Sequence, residues 1–193
     1  MVKDTTLNEG CVRSYSSEAP HDVMVASDVD LNVASLRDNV TLMCSSDGGP
    51  NNTYQWMKDG TVLDDESDST IIVNVINASS GGDYTCTVSN AAGNDSASTT
   101  IYVAPYIVTQ LDELTLTFNG SSLNLTCVAD GFPVPDVSWD RNMTDEVVAD
   151  DSLLMIPTVT FGQEGVYRCL ANATINGMNY EDSNITTVVG KCN

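Results

Sequence analysis

The chain has 193 residues, with 27 acidic and 7 basic side chains, a net charge of −20, six cysteines and one histidine. Nucleic acid and anionic membranes are disfavoured as partners, because both are polyanions and no basic patch is present to meet them. One imidazole, His21, builds neither a catalytic triad nor a histidine-rich metal site, and there is no glycine-rich phosphate loop, so no cofactor and no enzyme activity are expected.

In chain order, residues 1–19 read as an N-terminal extension carrying Cys11. They lack the charged start and apolar run of a signal peptide, and no stretch near 20 apolar residues spans a bilayer. The expectation is an ectodomain whose leader and anchor lie outside this sequence, or else a soluble secreted protein. From about residue 20 the pattern becomes that of strands. Val40, Leu42 and Cys44 alternate with Asn39, Thr41 and Met43, which predicts a strand with one face inward. Trp56 follows Cys44 by twelve residues. Ile71, Val73 and Ile76 read as the inward positions of a later strand, and Gly82, Tyr84 and Cys86 close the segment. Residues 96–103 are the predicted last strand, Ala104-Pro105 the linker, and Tyr106-Ile107-Val108 the start of a second segment.

The same set then recurs at an offset of 83 residues: Cys127, Trp139, Leu154, Ile156, Val159, Gly165, Tyr167 and Cys169. Two domains result, 20–103 and 104–190, with a tail at 191–193 that carries Cys192. Helices are not expected. The fold class is all-β: two tandem sandwiches set end to end, joined so closely that a semi-rigid rod is expected.

On these residues the chain resembles the immunoglobulin superfamily, and within it the I-set domains of adhesion molecules and receptor ectodomains. The likeness rests on Trp56-x-Lys58-Asp59-Gly60 and Cys86-x-x-x-Asn90-x-x-Gly93 in the first copy. In the second it rests on Cys127-x-x-x-Gly131-x-Pro133-x-Pro135-x-Val137-x-Trp139. The resemblance implies two intradomain disulfides, Cys44–Cys86 and Cys127–Cys169, each closing 42 residues of chain. A bridge of that span is worth roughly 4 kcal/mol on the loop-entropy model and places the chain outside the cytosol. The short run from tryptophan to the next inward strand leaves no room for variable-type central strands, so the subtype is I-set or constant-like. One family feature is missing in both copies: the aspartate six residues before the second cysteine is Ser80 and Gln163 here. In overall look the chain resembles the ectodomain of a sponge receptor tyrosine kinase or a related adhesion molecule.

The implied function is recognition without catalysis, by a single-pass receptor or an adhesion molecule whose partner is a protein ligand or another copy of itself. A secreted binding protein and a calcium-dependent adhesion module are the alternatives. Acids are dense at Asp64-Asp65-Glu66-x-Asp68, Asp145-Glu146 and Asp150-Asp151, but they lack the spaced loop that brings six to eight oxygens onto calcium, so no metal site is expected. Nine Asn-x-Ser/Thr sequons stand at Asn39, Asn51, Asn77, Asn94, Asn119, Asn124, Asn142, Asn172 and Asn184, and they suit a secretory route. Parity points Asn39, Asn124 and Asn172 to solvent.

The sheet holding Trp56 and Cys86 reads as free of sequons within its strands. Its outward residues Gln55, Met57, Thr85, Thr87 and Ser89 form a nearly uncharged candidate binding face. Cys11 and Cys192 are left over, with three readings open: partners in sequence outside this chain, an interchain bridge, or a free thiol. The sharpest expectation is a homodimer linked through Cys192.

Overall fold

The computed structural model describes residues 18–111, 114–117, 122–144, 147–160 and 162–191. Cys11, Asn119, Asp145, Glu146 and Cys192 lie outside the described residues, and so do the expectations placed on them.

Eight strands build the first repeat: β1 (Glu18–Ser27), β2 (Val33–Ala34), β3 (Asn39–Gly49), β4 (Thr53–Lys58), β5 (Thr61–Val62), β6 (Thr70–Asn74), β7 (Gly82–Asn90) and β8 (Gly93–Ile107). Eight more build the second: β9 (Leu114–Thr117), β10 (Leu123–Thr126), β11 (Ala129–Phe132), β12 (Asp136–Arg141), β13 (Val147–Ala149), β14 (Leu153–Ile156), β15 (Gly165–Ile175) and β16 (Met178–Lys191). Among the described residues the only helical pieces are two 3-10 turns, Asp30–Asn32 and Ala78–Ser80.

In the first repeat a small sheet, β1-β3-β6, faces a larger one running β8-β7-β4-β5. The N-terminal strand is shared between them, since β1 pairs antiparallel with β3 and β2 pairs parallel with β8. The crossing between sheets is made at Leu31 and Asn32, whose φ of 51° and 58° turn the chain sharply. Asn32 holds that corner by donating to Thr99 Oγ1 at 2.9 Å. The second repeat has the same plan, with β10-β14 facing β13-β12-β15-β16 and β9 parallel on β16.

Alternation produces the core. Val40, Leu42 and Cys44 point inward on β3, and Trp56, Tyr84, Cys86 and Val88 meet them from the opposite sheet, all buried. Leu123, Leu125, Cys127, Trp139, Tyr167 and Cys169 repeat the arrangement in the second core. Cys44 is bonded to Cys86 and Cys127 to Cys169, across Cα separations of 6.3 and 6.4 Å. Both indoles are fully buried, yet neither N–H is orphaned: Trp56 donates to Asp68 O at 2.9 Å and Trp139 to Ser152 O at 3.3 Å. A buried donor left unpaired would cost about 1–3 kcal/mol.

Two expectations need correcting. Ile76 is not a core residue; it is 74 % exposed, and Val75, 1 % exposed, takes the inward place. Backbone bonds from Val75 N to Asp38 O and from Arg37 N to Val75 O keep Val75 in strand register beyond the end of β6. The equivalent Val159 is buried, so the offset of 83 breaks at this one position.

The last strand also starts earlier and runs further than 96–103. Ala104 and Pro105 lie inside β8, and β11 of the second repeat pairs with its far end, Ala129 opposite Ile107 and Phe132 opposite Val103. The larger sheet of the first repeat therefore continues into the second. Further bonds tie the junction: Ile107 N donates to Asp182 Oδ2 at 2.7 Å, and Asn176 Nδ2 reaches Leu31 O at 2.9 Å.

Candidate binding face

The tyrosine two residues before each second cysteine anchors the lower end of its sandwich. Tyr84 donates its hydroxyl to Ser80 O and Tyr167 to Gln163 O, each at 2.8 Å. Each ring lies beneath a cation, Lys58 Nζ at 5.7 Å and the Arg141 guanidinium at 5.8 Å, which suits the electron-rich face of an aromatic ring. Burial raises both phenols; Tyr84 is pushed up to about 12, with the Asp59 charge adding to the effect.

Six residues before the second cysteine of each repeat, Ser80 and Gln163 close the preceding turn without a charge. Ser80 Oγ accepts from Ile76 N at 3.2 Å, and Gln163 Oε1 accepts from Thr160 N at 2.6 Å. Arg141 consequently donates to backbone carbonyls, those of Gly162 and Glu164.

Above this anchored end, the register of β4, β7 and β8 sets nine outward residues in three rows. Met57, Thr85 and Ser98 form one row, Gln55, Thr87 and Ser96 the next, and Thr53, Ser89 and Asn94 the last. None is charged. Gln55 is tied down by bonds to Trp56 O and Leu63 O, and Thr85 shares a 2.8 Å bond with Ser98. Thr53 continues the alternation of Gln55 and Met57 on β4, while Ser96 and Ser98 join this face across β7, and the alternation of β8 about the inward Ala97 is the signal that would have found them.

Asn94 contradicts the expectation of a sequon-free sheet. It lies within β8, exposed, opposite Ser89 at the corner of the face. The hairpin between β7 and β8 turns within Ala91-Ala92, so the last strand begins at Gly93 and takes the sequon with it.

The equivalent face of the second repeat is built differently. Asp140 and Arg168 stand where the first repeat has Met57 and Thr85; they form an ion pair of 2.5 Å in which the aspartate is buried.

Among the other sequons, Asn39, Asn51, Asn77, Asn124 and Asn142 are exposed and Asn172 is half-buried. Asn77 caps the second 3-10 turn, accepting from Ser79 N at 3.0 Å. Asn184 pairs with the inward Cys169, gives its amide to Thr109 O at 3.2 Å and is half-buried. Among the described residues no three acidic, cysteine or histidine side chains converge as a metal site, and no helix is long and apolar enough to cross a membrane.

Two family models, each described as an immunoglobulin domain, match residues 23–103 and 104–172. Mouse hemicentin-1 is 30 % identical over 172 residues, covering 81 % of this chain and 3 % of its own length. Chicken neural cell adhesion molecule 1 is 29 % identical over 167 residues, covering 74 % of this chain and 15 % of its own. The chain thus spans only a small part of these relatives. Among solved structures, the insect immune protein hemolin, described with implications for homophilic adhesion, superposes with a TM-score of 0.60 at 21 % identity, over 92 % of this chain and 48 % of that one.

Proposed function

Because the chain belongs to the immunoglobulin superfamily, its two domains matched one after the other, we propose that it is an extracellular recognition module of a cell-adhesion molecule or single-pass receptor. It acts by protein–protein contact and not by catalysis. Its relatives, neural cell adhesion molecule 1 among them, favour that reading.

The observation that carries it is the uncharged face of Gln55, Met57, Thr85, Thr87 and Ser89, widened by Thr53, Ser96 and Ser98. In a chain of −20 the face itself carries no charge, with Asp83, the next outward residue of β7, at its edge, and a partner is repelled less there than at an acidic surface. The partner is either a protein ligand or a second copy, and hemolin's reported link to homophilic adhesion favours the second copy.

Thr87 sits at the centre of the face, so Thr87→Arg is the test. Beads coated with the parent chain should aggregate, or capture the ligand, and beads coated with the variant should not. Equal behaviour of the two would end the assignment to this face. Cys192 is proposed to link two chains side by side; a single monomeric band for the parent in non-reducing electrophoresis would refute that link. The coding sequence beyond Asn193 distinguishes a receptor tyrosine kinase, a short-tailed adhesion molecule and a secreted protein.

A further inference from the structure

The outer faces of the two small sheets share a feature that the proposed function does not use. Ile72 on β6 and Met155 on β14 are related by the offset of 83, and both point to solvent, 62 % and 57 % exposed. Large apolar side chains in that position are a liability, more so with Ile76 and Leu153 beside them at 74 % and 39 %.

In each repeat a sequon lies directly across the strand pair. Asn124 is the register partner of Met155, and Thr126, the hydroxyl residue of that sequon, is the partner of Leu153. In the first repeat Thr41, the hydroxyl residue of the Asn39 sequon, is the partner of Ile72, and Asn39 itself faces Asn74, midway between Ile72 and Ile76. Both asparagines are exposed, and the middle residues, Val40 and Leu125, are buried in the cores. Residues directly opposite are about 5 Å apart and diagonal neighbours about 7–8 Å, within reach of the first sugar of a glycan. Beside Asn39, moreover, Leu36, Arg37, Asp38, Asn74, Val75 and Ile76 line an open surface groove of about 550 Å³.

We propose that N-linked sugar cores on Asn39 and Asn124 lie against Ile72 with Ile76, and against Met155 with Leu153, sheathing the outer faces of both small sheets. Pyranose rings carry one apolar C–H face and a rim of hydroxyls, so they cover an aliphatic side chain and still present a hydrated surface. A second copy of the chain is the rival occupant, but it has to be captured from solution, whereas the sugar is tethered at the site. This proposal is independent of the face around Thr87, which lies on the other sheet.

The test uses the full chain secreted from a eukaryotic cell line behind a secretion leader, with peptide mapping of occupancy. Tm and binding of a hydrophobic dye are compared for the parent, for Asn39→Gln with Asn124→Gln, and for the same pair in an Ile72→Ser, Met155→Ser background. Both sites should be occupied. Loss of the two sequons should lower Tm by about 3 °C and raise dye binding at least about twofold in the parent, and the serine background should reduce both changes by about half or more. The proposal fails if either asparagine is unoccupied, if loss of the sequons changes neither reading, or if the changes are undiminished with serine at 72 and 155. It also fails if the glycosylated parent dimerises and Ile72→Ser or Met155→Ser abolishes the dimer, since a second copy would then cover the face.

Discussion

The ring of Phe132 occupies the space beside Gly81, so that a Cβ built on the glycine would meet the ring and its Cβ at 2.8 Å. The backbone of Gly81, with φ of −70°, would accept any residue, so the constraint comes from the second repeat pressing on the first. Phe132 also stacks on Tyr102 with ring centroids 6.3 Å apart. Gly81→Val is expected to displace the ring and loosen the junction, seen in small-angle scattering as a broader spread of interdomain distances. Phe132→Ala should do the same, and identical scattering from all three proteins would show that the contact does not hold the domains.

Val75 and Ile76 are adjacent and similar in chemistry, but only Val75 is buried. Val75→Ala should destabilise the first domain by about 1.5–3 kcal/mol, while Ile76→Ala should stay within about 0.5 kcal/mol in bacterially produced protein that carries no glycan. Urea denaturation of both variants decides the matter, and equal costs would contradict the packing described.

Tyr84 keeps its proton in the folded chain up to about 12, whereas an unfolded tyrosine loses it near 10.0. Stability from this group is therefore intact below pH 10 and declines as pH rises towards 12. Tyr84→Phe should cost about 1 kcal/mol at neutral pH through loss of the bond to Ser80 O, and should flatten the alkaline decline. Thermal melts across that range provide the measurement.

Acid should act through Asp59 and Asp28. The Lys58 ammonium, followed by the Asp83 N–H, holds Asp59 below its ordinary 3.8, and the Thr41 backbone N–H does the same for Asp28. Both contributions are present above pH 3.8 and are lost as pH falls through the depressed values. Asp59→Asn should reduce the slope of stability against pH below pH 3.8, and an unchanged slope would show that Asp59 is not responsible.

The repeat at 83 residues made the two sandwiches legible in the sequence. The cysteine, tryptophan and tyrosine positions, and the inward alternation of Val40, Leu42, Leu123 and Leu125, arise from strand period and spacing, which are local properties. The sequons could likewise be read from residue types alone.

Only the tertiary structure decided what each outward residue has beside it. That β8 begins at Gly93 and runs through Pro105, that Asn94 shares a face with Thr87, and that Asn124 stands across from Met155 all depend on how one strand is registered against another. Period two tells in from out along a single strand, but cross-strand neighbours are set by turn length and pairing partner, over separations that no local pattern encodes.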